Sequence, residues 1–467
     1  MSLETALGGM LAALALAIII GRKGNKKSKG VRIGLSRDSG RVLHYPGAGH
    51  LITIAATRMG KGRDILIPAL LEWNGSCIVI DPKGELAAVT GHYRKKFGRV
   101  IVLNPFGIWH KHLRGLISAR FNPLANLNPD SRSFGADADK LADAIVWHEG
   151  PGEESHWVTS ARLLVSGVIM ALVKEGQPHE KNLGAVRQVI SGGDVFGFCR
   201  EAMKSHDPFI RQKLSRFAAV GAEENKEING IISTADTQTG FIGNEAIADS
   251  LSGSDFRFRD LKRKPTTVYL VLPLEYLDVC GKWFRLIVAA ALSELLREER
   301  GVRVLAVMDE FAQLGALKAI QNAMGMAAGF GVTLWPVLQD LSQLAGLYPH
   351  TWETFLSNAG VRMFFGPRDE KTAHYLSGMT GQTERRTISK SVSYQDQSEG
   401  GGRPGAVPNI NLGFGQIGRP LMDAYETRQM DEDEMLLFVE RVKGVVKAKR
   451  RPYWLDFKGY GKNPYFG

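Results

Sequence analysis

The sequence predicts an α/β fold with a mainly parallel sheet that is interrupted by an all-helical domain. Short apolar runs that end in polar turns alternate with helical patterns, which is typical of a parallel sheet. Between residues 134 and 253 this alternation stops and only helical periodicity continues. A chain of 467 residues is also longer than a single hydrophobic core usually supports, so we expect more than one domain.

These observations divide the chain into four predicted regions. Residues 1–30 form a membrane anchor with a basic segment, 31–133 the first part of a sheet domain, 134–253 the all-helical domain, and 254–467 the second part of the sheet domain. The composition, with 44% hydrophobic and 23% charged residues, is that of a globular chain and excludes an overall disordered or fibrous protein.

The N-terminal segment is apolar and is followed by positive charge. Residues Ala6 to Ile20 are nearly all apolar, which is enough for a helix of about 15 residues or ~23 Å. Lysine and arginine are frequent from Arg22 to Lys29. A signal peptide would carry its charges first, whereas this order predicts a short membrane anchor with the rest of the chain in the cytoplasm. The alternatives are an amphipathic helix on the membrane surface and a truncated anchor.

The predicted strands are short apolar runs, and the predicted helices show a longer period. The first strand is followed by a glycine-rich turn and a helix from Ile65 to Trp73. In the all-helical region, apolar residues recur at helical spacing from Trp157 to Leu172, with Ser155 as the cap. The strands are Leu51–Ala55, Ser76–Asp81, Arg99–Asn104, Thr266–Leu272, Arg303–Asp309, Val332–Leu338 and Val361–Phe365.

Gly400 to Gly418 is rich in glycine, proline and asparagine, and we expect this stretch to loop out of the fold. The three cysteines form no CxxC pair, and His110 and His112 lack further ligands, so the sequence predicts no zinc site.

The chain is basic, with a formal net charge of +11 and a pI near 9.4, which indicates a polyanionic neighbour. Charge alone does not distinguish nucleic acid from anionic lipid. Two basic clusters could line a path for nucleic acid or could be solvated faces. They are Arg257, Arg259, Lys262, Arg263 and Lys264, and Lys447, Lys449, Arg450 and Arg451.

The turn from Ala55 to Gly62 lies between a strand and a helix, where backbone N–H groups can hold phosphates. Lys61 would neutralise the β- and γ-phosphates of a nucleotide. The turn departs from the pattern G-x-x-x-x-G-K-[ST], because Ala55 replaces the first glycine and Gly62 replaces the hydroxyl residue that holds magnesium. A Gly-Lys turn without a ligand is the alternative. The predicted nucleotide-binding residues are Thr57, Arg58, Gly60, Lys61, Gly62 and Arg63.

A second element supports a nucleotide site. An apolar strand ends in Asp309 and Glu310, a pair that suits one carboxylate holding Mg²⁺ through water and a second polarising the attacking water. Gln339 follows the next strand and could sense the γ-phosphate. Because ligands of open α/β sheets bind at the carboxyl ends of the strands, these groups should lie together. An ordinary helix cap is the alternative for the carboxylate pair.

Several motifs in order resemble the TraG/TraD-like coupling proteins of type IV secretion and conjugation. The resemblance covers the chain from about Gly47 to the C-terminus, and a glycine after the Walker A lysine looks normal for that family. The segments that carry it are Ala55–Gly62, Ile67–Leu71, Val79–Glu85, Met308–Gly315 and Leu338–Leu344.

This resemblance implies a hexameric, RecA-like P-loop ATPase of the bacterial inner membrane that uses ATP and Mg²⁺. Such a protein receives single-stranded DNA bound to a relaxase, or effector proteins, and delivers them to the channel formed by other type IV secretion subunits. Family members often carry two N-terminal membrane helices, whereas this sequence has at most one short apolar segment before its basic run.

Some relatives place a basic residue after the Walker B strand, but Ala327, Ala328 and Gly329 lie there in this chain. The arginine that reaches a neighbouring subunit's site should therefore come from elsewhere. Arg362 and Arg368 are the first candidates because they flank the strand after Gln339, and Arg58 and Arg63 are the next. Each could equally be structural.

Three residues after the second strand, Asp81, Lys83 and Glu85, could approach the nucleotide or a subunit interface, or form a solvated turn. Two functions compete with a coupling motor. One is a nucleotide-gated docking receptor with little hydrolysis, which the altered phosphate turn favours and Glu310 opposes. The other is a different RecA-like DNA translocase, which would not require the helical insertion.

Overall fold

The computed structural model describes residues 30–147, 155–297, 301–395 and 407–465. The predicted membrane anchor, apart from residue 30, lies outside these residues. Within the described part, one helix is long and apolar enough to cross a membrane, His156–Glu175, and most of it is buried inside the fold.

Twelve of the described strands form one sheet. Their hydrogen-bonded order is β2-β1-β14-β13-β10-β3-β9-β8-β4-β7-β5-β6, and β11 and β12 pair separately. The strands are β1 Val31–Ser36, β2 Val42–Tyr45, β3 His50–Ala55, β4 Ser76–Asp81, β5 Arg99–Leu103, β6 Ile117–Ser118, β7 Thr266–Val271, β8 Val304–Met308, β9 Val332–Leu338, β10 Ala359–Phe365, β11 Gln382–Gln395, β12 Val407–Pro420, β13 Glu434–Val439 and β14 Val446–Lys449.

The sheet is parallel from β10 to β6 and antiparallel at its other edge. Each neighbouring pair from β10 through β3, β9, β8, β4, β7 and β5 to β6 is parallel. The pairs β10–β13, β13–β14, β14–β1 and β1–β2 are antiparallel. The predicted α/β class with a mainly parallel sheet is confirmed, and the antiparallel edge adds strands that the sequence patterns did not predict.

Alternating side chains of the strands divide the core into two layers. In β3, Ile52 and Ile54 belong to one buried cluster, whereas Leu51 and Ala55 belong to the other. This burial on both faces is why the parallel strands are continuous apolar runs. Helices cover the sheet and its carboxyl edge: α1 Ile67–Glu72, α2 Glu85–Arg94, α3 His110–Leu113, α11 Leu277–Cys280, α12 Lys282–Leu295, α13 Lys318–Met326, α14 Leu341–Leu347, α15 Trp352–Ser357, α16 Glu370–Met379 and α17 Ala424–Arg428.

The region between β6 and β7 is helical. Ser155 caps its longest helix, as predicted, because the Ser155 hydroxyl accepts a hydrogen bond from the N–H of Val158 at 3.3 Å. The helices are α4 Phe134–Ile145, α5 His156–Glu175, α6 Leu183–Ser191, α7 Val195–Ala202, α8 Pro208–Ala218, α9 Lys226–Thr239 and α10 Glu245–Ser250.

The expectation that residues 400–418 loop out without structure is wrong from Val407 onward. Those residues form β12, which pairs antiparallel with β11 from Gln382↔Pro420 to Gln395↔Val407. Glycine and asparagine are poor strand formers, and the long partner strand provides the pairing that their composition does not predict.

Candidate nucleotide site

The turn from Ala55 to Gly62, which follows β3 and is the phosphate turn of this site, has the backbone shape of a phosphate-binding loop. Gly60 is left-handed at φ 79°, and a Cβ there would lie 2.5 Å from an oxygen of Asp64, so glycine is required. Arg58 is also left-handed, at φ 64°. The helix begins at Lys61 with a π-helical segment, Lys61–Leu66, and continues as α1. The N–H groups of this first turn are therefore available to an anion.

Lys61 folds back over the turn. Its ammonium group donates to the carbonyl oxygen of Ala55 at 2.8 Å and to that of Ala56 at 3.4 Å. Burial lowers the pKa of Lys61, although the carboxylates of Glu310 and Asp309 oppose this shift. The side chain thus lies beside the turn and faces the acidic residues of the next strands.

Asp309 and Glu310 follow β8 and lie at the same edge of the sheet. Asp309 is buried, and burial together with the neighbouring charge of Glu310 raises its pKa to about 6. Glu310 takes a left-handed conformation, with φ 51°, which a non-glycine residue adopts only at some cost.

A chain of side-chain contacts links the phosphate turn to Glu310. The Thr57 hydroxyl donates to the amide oxygen of Gln339 at 2.9 Å, and the Gln339 amide nitrogen donates to Glu310 Oε2 at 3.2 Å. The Lys83 ammonium lies 3.5 Å from Glu310 Oε1. One carboxylate is therefore held from two directions, by an amide and by a cation. The structure brings Thr57, Lys61, Asp309, Glu310 and Gln339 together, as expected if they serve one site.

Lys83 and Asp81 belong to the site, a possibility that the sequence left open. Asp309 and Glu310 raise the pKa of Lys83 even though burial opposes them. Asp81 is fully buried, and burial raises its pKa to about 7. Its Oδ2 accepts a hydrogen bond from the N–H of Ala87 at 2.7 Å, while Oδ1 has no partner among the described residues. In the sequence, the indication of this role is a buried strand that ends in a carboxylate and is followed two residues later by a lysine.

Arg450 supports the site and is not part of a solvated or nucleic-acid-contacting surface, so that expectation is wrong for this residue. It is buried, with its Nη1 3.0 Å from Asp64 Oδ2 and 2.6 Å from the carbonyl oxygen of Met59. Arg63 contacts the same carboxylate, with Nε 2.6 Å from Asp64 Oδ1. Arg450 therefore stabilises the phosphate turn through its contacts with Met59 and Asp64. Lys262, in the other cluster, is also buried.

The candidate arginines for a neighbouring site differ in accessibility. Arg368 is exposed in the loop after β10, at the carboxyl edge of the sheet. Arg362 is half-buried, lies 5.5 Å from the ring of Phe438, and is aligned with Ile52 on the face opposite α1. Arg58 is exposed, whereas Arg63 is paired with Asp64 within the same chain.

The acidic residues of the site suit Mg²⁺ held jointly with a nucleotide. Asp309 and Asp81 are buried carboxylates whose pKa values are raised, so an added cation would be stabilised beside them. No group of three or more His, Cys, Asp or Glu side chains in the described part of the chain could hold a metal by itself. This fits Mg²⁺, which proteins usually bind through one or two carboxylates, water and substrate phosphates.

Comparisons with known proteins show the family to which the chain belongs. Residues 17–463 match the family described as Type IV secretory system Conjugative DNA transfer. The chain is 29% identical to the conjugal transfer protein TraG of Escherichia coli, over 86% of this chain and 66% of TraG. It is 28% identical to the protein VirD4 of Agrobacterium fabrum, over 84% of this chain and 57% of VirD4. The chain thus spans just under two thirds of the TraG length and somewhat over half of the VirD4 length.

Solved structures of a bacterial conjugative coupling protein have the same fold. TrwBdeltaN70 in complex with sulphate matches 98% of this chain and 94% of its own, with a TM-score of 0.66 and 17% identity. TrwB in complex with the ATP analogue ADPNP matches with a TM-score of 0.65 and 16% identity over the same shares. Another TrwB structure contains ADP and Mg²⁺. These likenesses show that the chain shares the fold of TrwB, in agreement with the predicted α/β class.

Proposed function

Since the chain belongs to the type IV secretory system conjugative DNA transfer family, we propose that it is a coupling ATPase. In this proposal it receives relaxase-bound single-stranded DNA or effector proteins and uses ATP hydrolysis to drive or gate their delivery to a secretion channel. The TraG and VirD4 relatives and the nucleotide complexes of TrwB support this assignment.

The observation that carries the proposal is the continuous contact from the phosphate turn to Glu310. Thr57, Gln339, Glu310 and Lys83 are joined by hydrogen bonds and an ion pair, although they come from four separate loops at one edge of the sheet. A chain that only bound nucleotide would need the turn but not a carboxylate held beside it. The arrangement can therefore couple the presence of a γ-phosphate to the position of a general base.

Each group has a proposed role in hydrolysis. Lys61 and the N–H groups of Gly60 to Arg63 bind the β- and γ-phosphates. Glu310 accepts a proton as a water oxygen forms its bond to the γ-phosphorus and the bond to the ADP oxygen breaks, and Gln339 reports whether that phosphate is present. Asp309 would hold Mg²⁺, and the ion would supply positive charge against the phosphates. Thr57 and Arg58 belong to the same phosphate-binding turn.

The surroundings of the ATPase follow the same proposal. We expect an inner-membrane location with the bulk of the chain in the cytoplasm, contacts with other type IV secretion subunits, and a homohexamer in which an arginine enters the neighbouring site. Arg368 is better placed for this than Arg362, because it is exposed beside the carboxyl edge while Arg362 packs against Phe438.

A docking receptor with little hydrolysis is the second candidate, and one contact favours it. The Lys83 ammonium pairs with Glu310 Oε1 at 3.5 Å, so an attacking water molecule must compete with this cation for the carboxylate. If this pair persists with nucleotide bound, ATP would gate docking without being consumed. A different RecA-like DNA translocase would share the core site.

The test compares ATP hydrolysis with and without single-stranded DNA in the wild type, Lys61→Ala and Glu310→Gln. We expect DNA-stimulated turnover in the wild type, loss of both binding and turnover in Lys61→Ala, and binding without turnover in Glu310→Gln. The matched control is Lys443→Ala, an exposed lysine in the turn between β13 and β14. Normal turnover in Lys61→Ala would refute the site, and tight binding without wild-type turnover would support the receptor.

A further inference from the structure

The topology of the sheet sets the direction in which a nucleotide would lie. Starting from β3, the strands β9 and β8 lie on one side, and β10, β13 and β14 lie on the other. Gln339 and Glu310, the groups that face a γ-phosphate in the proposed function, follow β9 and β8. The opposite end of the nucleotide, its ribose and base, must therefore leave the turn on the side of β13 and β14.

An exposed aromatic side chain lies on that side. The short helix Tyr453–Leu455 follows β14, and Trp454 is 46% exposed. The Arg63 guanidinium is 5.9 Å from the centre of its ring. Arg63 is the second residue after Lys61, where phosphate-binding loops meet the α-phosphate that carries the nucleoside. Trp454 is thus next to the point at which the nucleoside would emerge.

The fold holds Trp454 firmly in this position. Four residues earlier, Arg450 is anchored to the carbonyl oxygen of Met59 and to Asp64, both part of the phosphate turn and its helix. The neighbouring Tyr453 is buried and packs edge-on against both Trp454, at 5.2 Å, and Tyr460, at 4.7 Å between ring centres. A rigid aromatic surface gives more binding per contact than a mobile one, because less entropy is lost on binding.

The other aromatic cluster near the turn faces the wrong end of the nucleotide. Trp109 and Tyr465 both donate hydrogen bonds to the backbone carbonyl of Lys83, at 2.8 and 3.0 Å. Lys83 contacts Glu310, so this pair lies on the γ-phosphate side. Trp454, in contrast, lies on the nucleoside side.

We propose that Trp454, together with the Arg63 guanidinium, forms the subsite that stacks on the purine base of the bound nucleotide. The inference rests on the proposed nucleotide function. Stacking uses the π-face that every base has, so this subsite provides affinity for adenine and guanine alike and selects a nucleotide over a bare polyphosphate. Arg63 adds a cation beside the ring system, and its pairing with Asp64 fixes the orientation.

The experiment measures dissociation constants of ATP, GTP and inorganic tripolyphosphate on the full chain by competition calorimetry. Trp454→Ala should weaken both nucleotides by about 5- to 100-fold, the range for loss of one aromatic–base stack. The dissociation constant of tripolyphosphate should not change, because it has no base. Trp454→Phe, which keeps a π-face, should recover most of the lost affinity.

Trp157→Phe is the matched control, since Trp157 is 41% exposed on α5 in the helical domain, and it should bind all three ligands as the wild type does. Unchanged nucleotide affinity in Trp454→Ala would overturn the subsite while leaving the phosphate site intact. An equal loss for tripolyphosphate would also overturn it, because Trp454 would then only support the turn. If the wild type binds none of the three ligands, the proposed nucleotide function itself fails.

Discussion

Replacing Arg450 by methionine separates a structural role from a nucleic-acid role. Arg450 is 4% exposed, its guanidinium lies 4.0 Å from the centre of the Phe365 ring, and it contacts Asp64, the carbonyl oxygen of Met59 and backbone carbonyls of Glu432 and Glu434. Methionine fills much of the volume but removes every hydrogen bond. The variant therefore leaves several buried acceptors with one donor fewer.

The expected loss can be estimated from the ion pair. Removing one partner of a buried ion pair costs about 3–5 kcal/mol, because the other charge stays buried without compensation. Here Arg63 still pairs with Asp64, which places the expected loss in the free energy of unfolding near the lower end, at about 3 kcal/mol. Lys449→Gln is the control on the adjacent residue. The Lys449 ammonium pairs with Asp433 at 2.8 Å on the surface, where water and salt screen the pair, so this variant should unfold close to the wild type.

The assay combines urea denaturation, nucleotide binding, and binding to single-stranded DNA at several salt concentrations. Arg450→Met should unfold at lower urea concentration and bind nucleotide more weakly, because the phosphate turn loses its support. Its DNA affinity should keep the salt dependence of the wild type. If Arg450→Met instead keeps full stability and reduces the slope of log K against log salt by about one, then Arg450 contacts DNA phosphate and the argument from burial is wrong.

Three further predictions concern the candidate site, and a fourth concerns the positive net charge of the chain. Burial raises the pKa of Asp309 to about 6, so its contribution to the stability of the nucleotide-free chain is fully present below pH ~4 and is lost as the pH rises through about 6; urea unfolding between pH 4.5 and 7.5 should show this slope, and Asp309→Asn should reduce it, with the part due to Asp81 remaining. Lys83→Met should raise ATP hydrolysis without DNA at least about twofold, because the ammonium competes with water for the Glu310 carboxylate; turnover that falls to the Glu310→Gln level would contradict this. Arg368→Ala should bind ATP yet hydrolyse it about 10³-fold more slowly, and mixing with Glu310→Gln subunits should restore part of the rate. Arg362→Ala should keep most of the wild-type rate of ATP hydrolysis. If both arginine variants hydrolyse ATP at the wild-type rate, the arginine that enters the neighbouring site must be another residue. Binding of single-stranded DNA should weaken steeply with salt because of counterion release; a flat response would assign the net charge of +11 to lipid or to no ligand.

The central strands were predictable because each is a buried apolar run closed by a distinctive residue. Ser76–Asp81 and Val332–Leu338 match β4 and β9 residue for residue, and Leu51–Ala55 misses only the first residue of β3. A parallel strand covered on both faces has no polar face to break the run. The carboxylate, amide or glycine turn that follows marks the edge where the site lies.

The antiparallel edge was not predictable in the same way. β14 is only Val446–Lys449, with two lysines among four residues, and its pairing with β13 and β1 is set by segments far away in the chain. A short strand at this edge has no periodic signature of its own, because its partners, and not its composition, determine its conformation. β12 is long, but its glycine and asparagine residues give no strand signature, and its pairing with β11 determines its conformation.

The residues that support the site escape sequence reasoning for a related reason. Arg450 and Asp64 are separated by 386 positions, and neither one marks the other in the sequence. A run of lysine and arginine predicts a charged surface, yet one member of that run turns inward because the sheet carries β14 back to the phosphate turn. The motifs of the proposed site are local and can be recognised, whereas the groups that position them are brought together by the topology of the sheet. The same topology places Trp454 beside Arg63, so in the proposed subsite the C-terminal segment contributes to nucleotide affinity together with the turn.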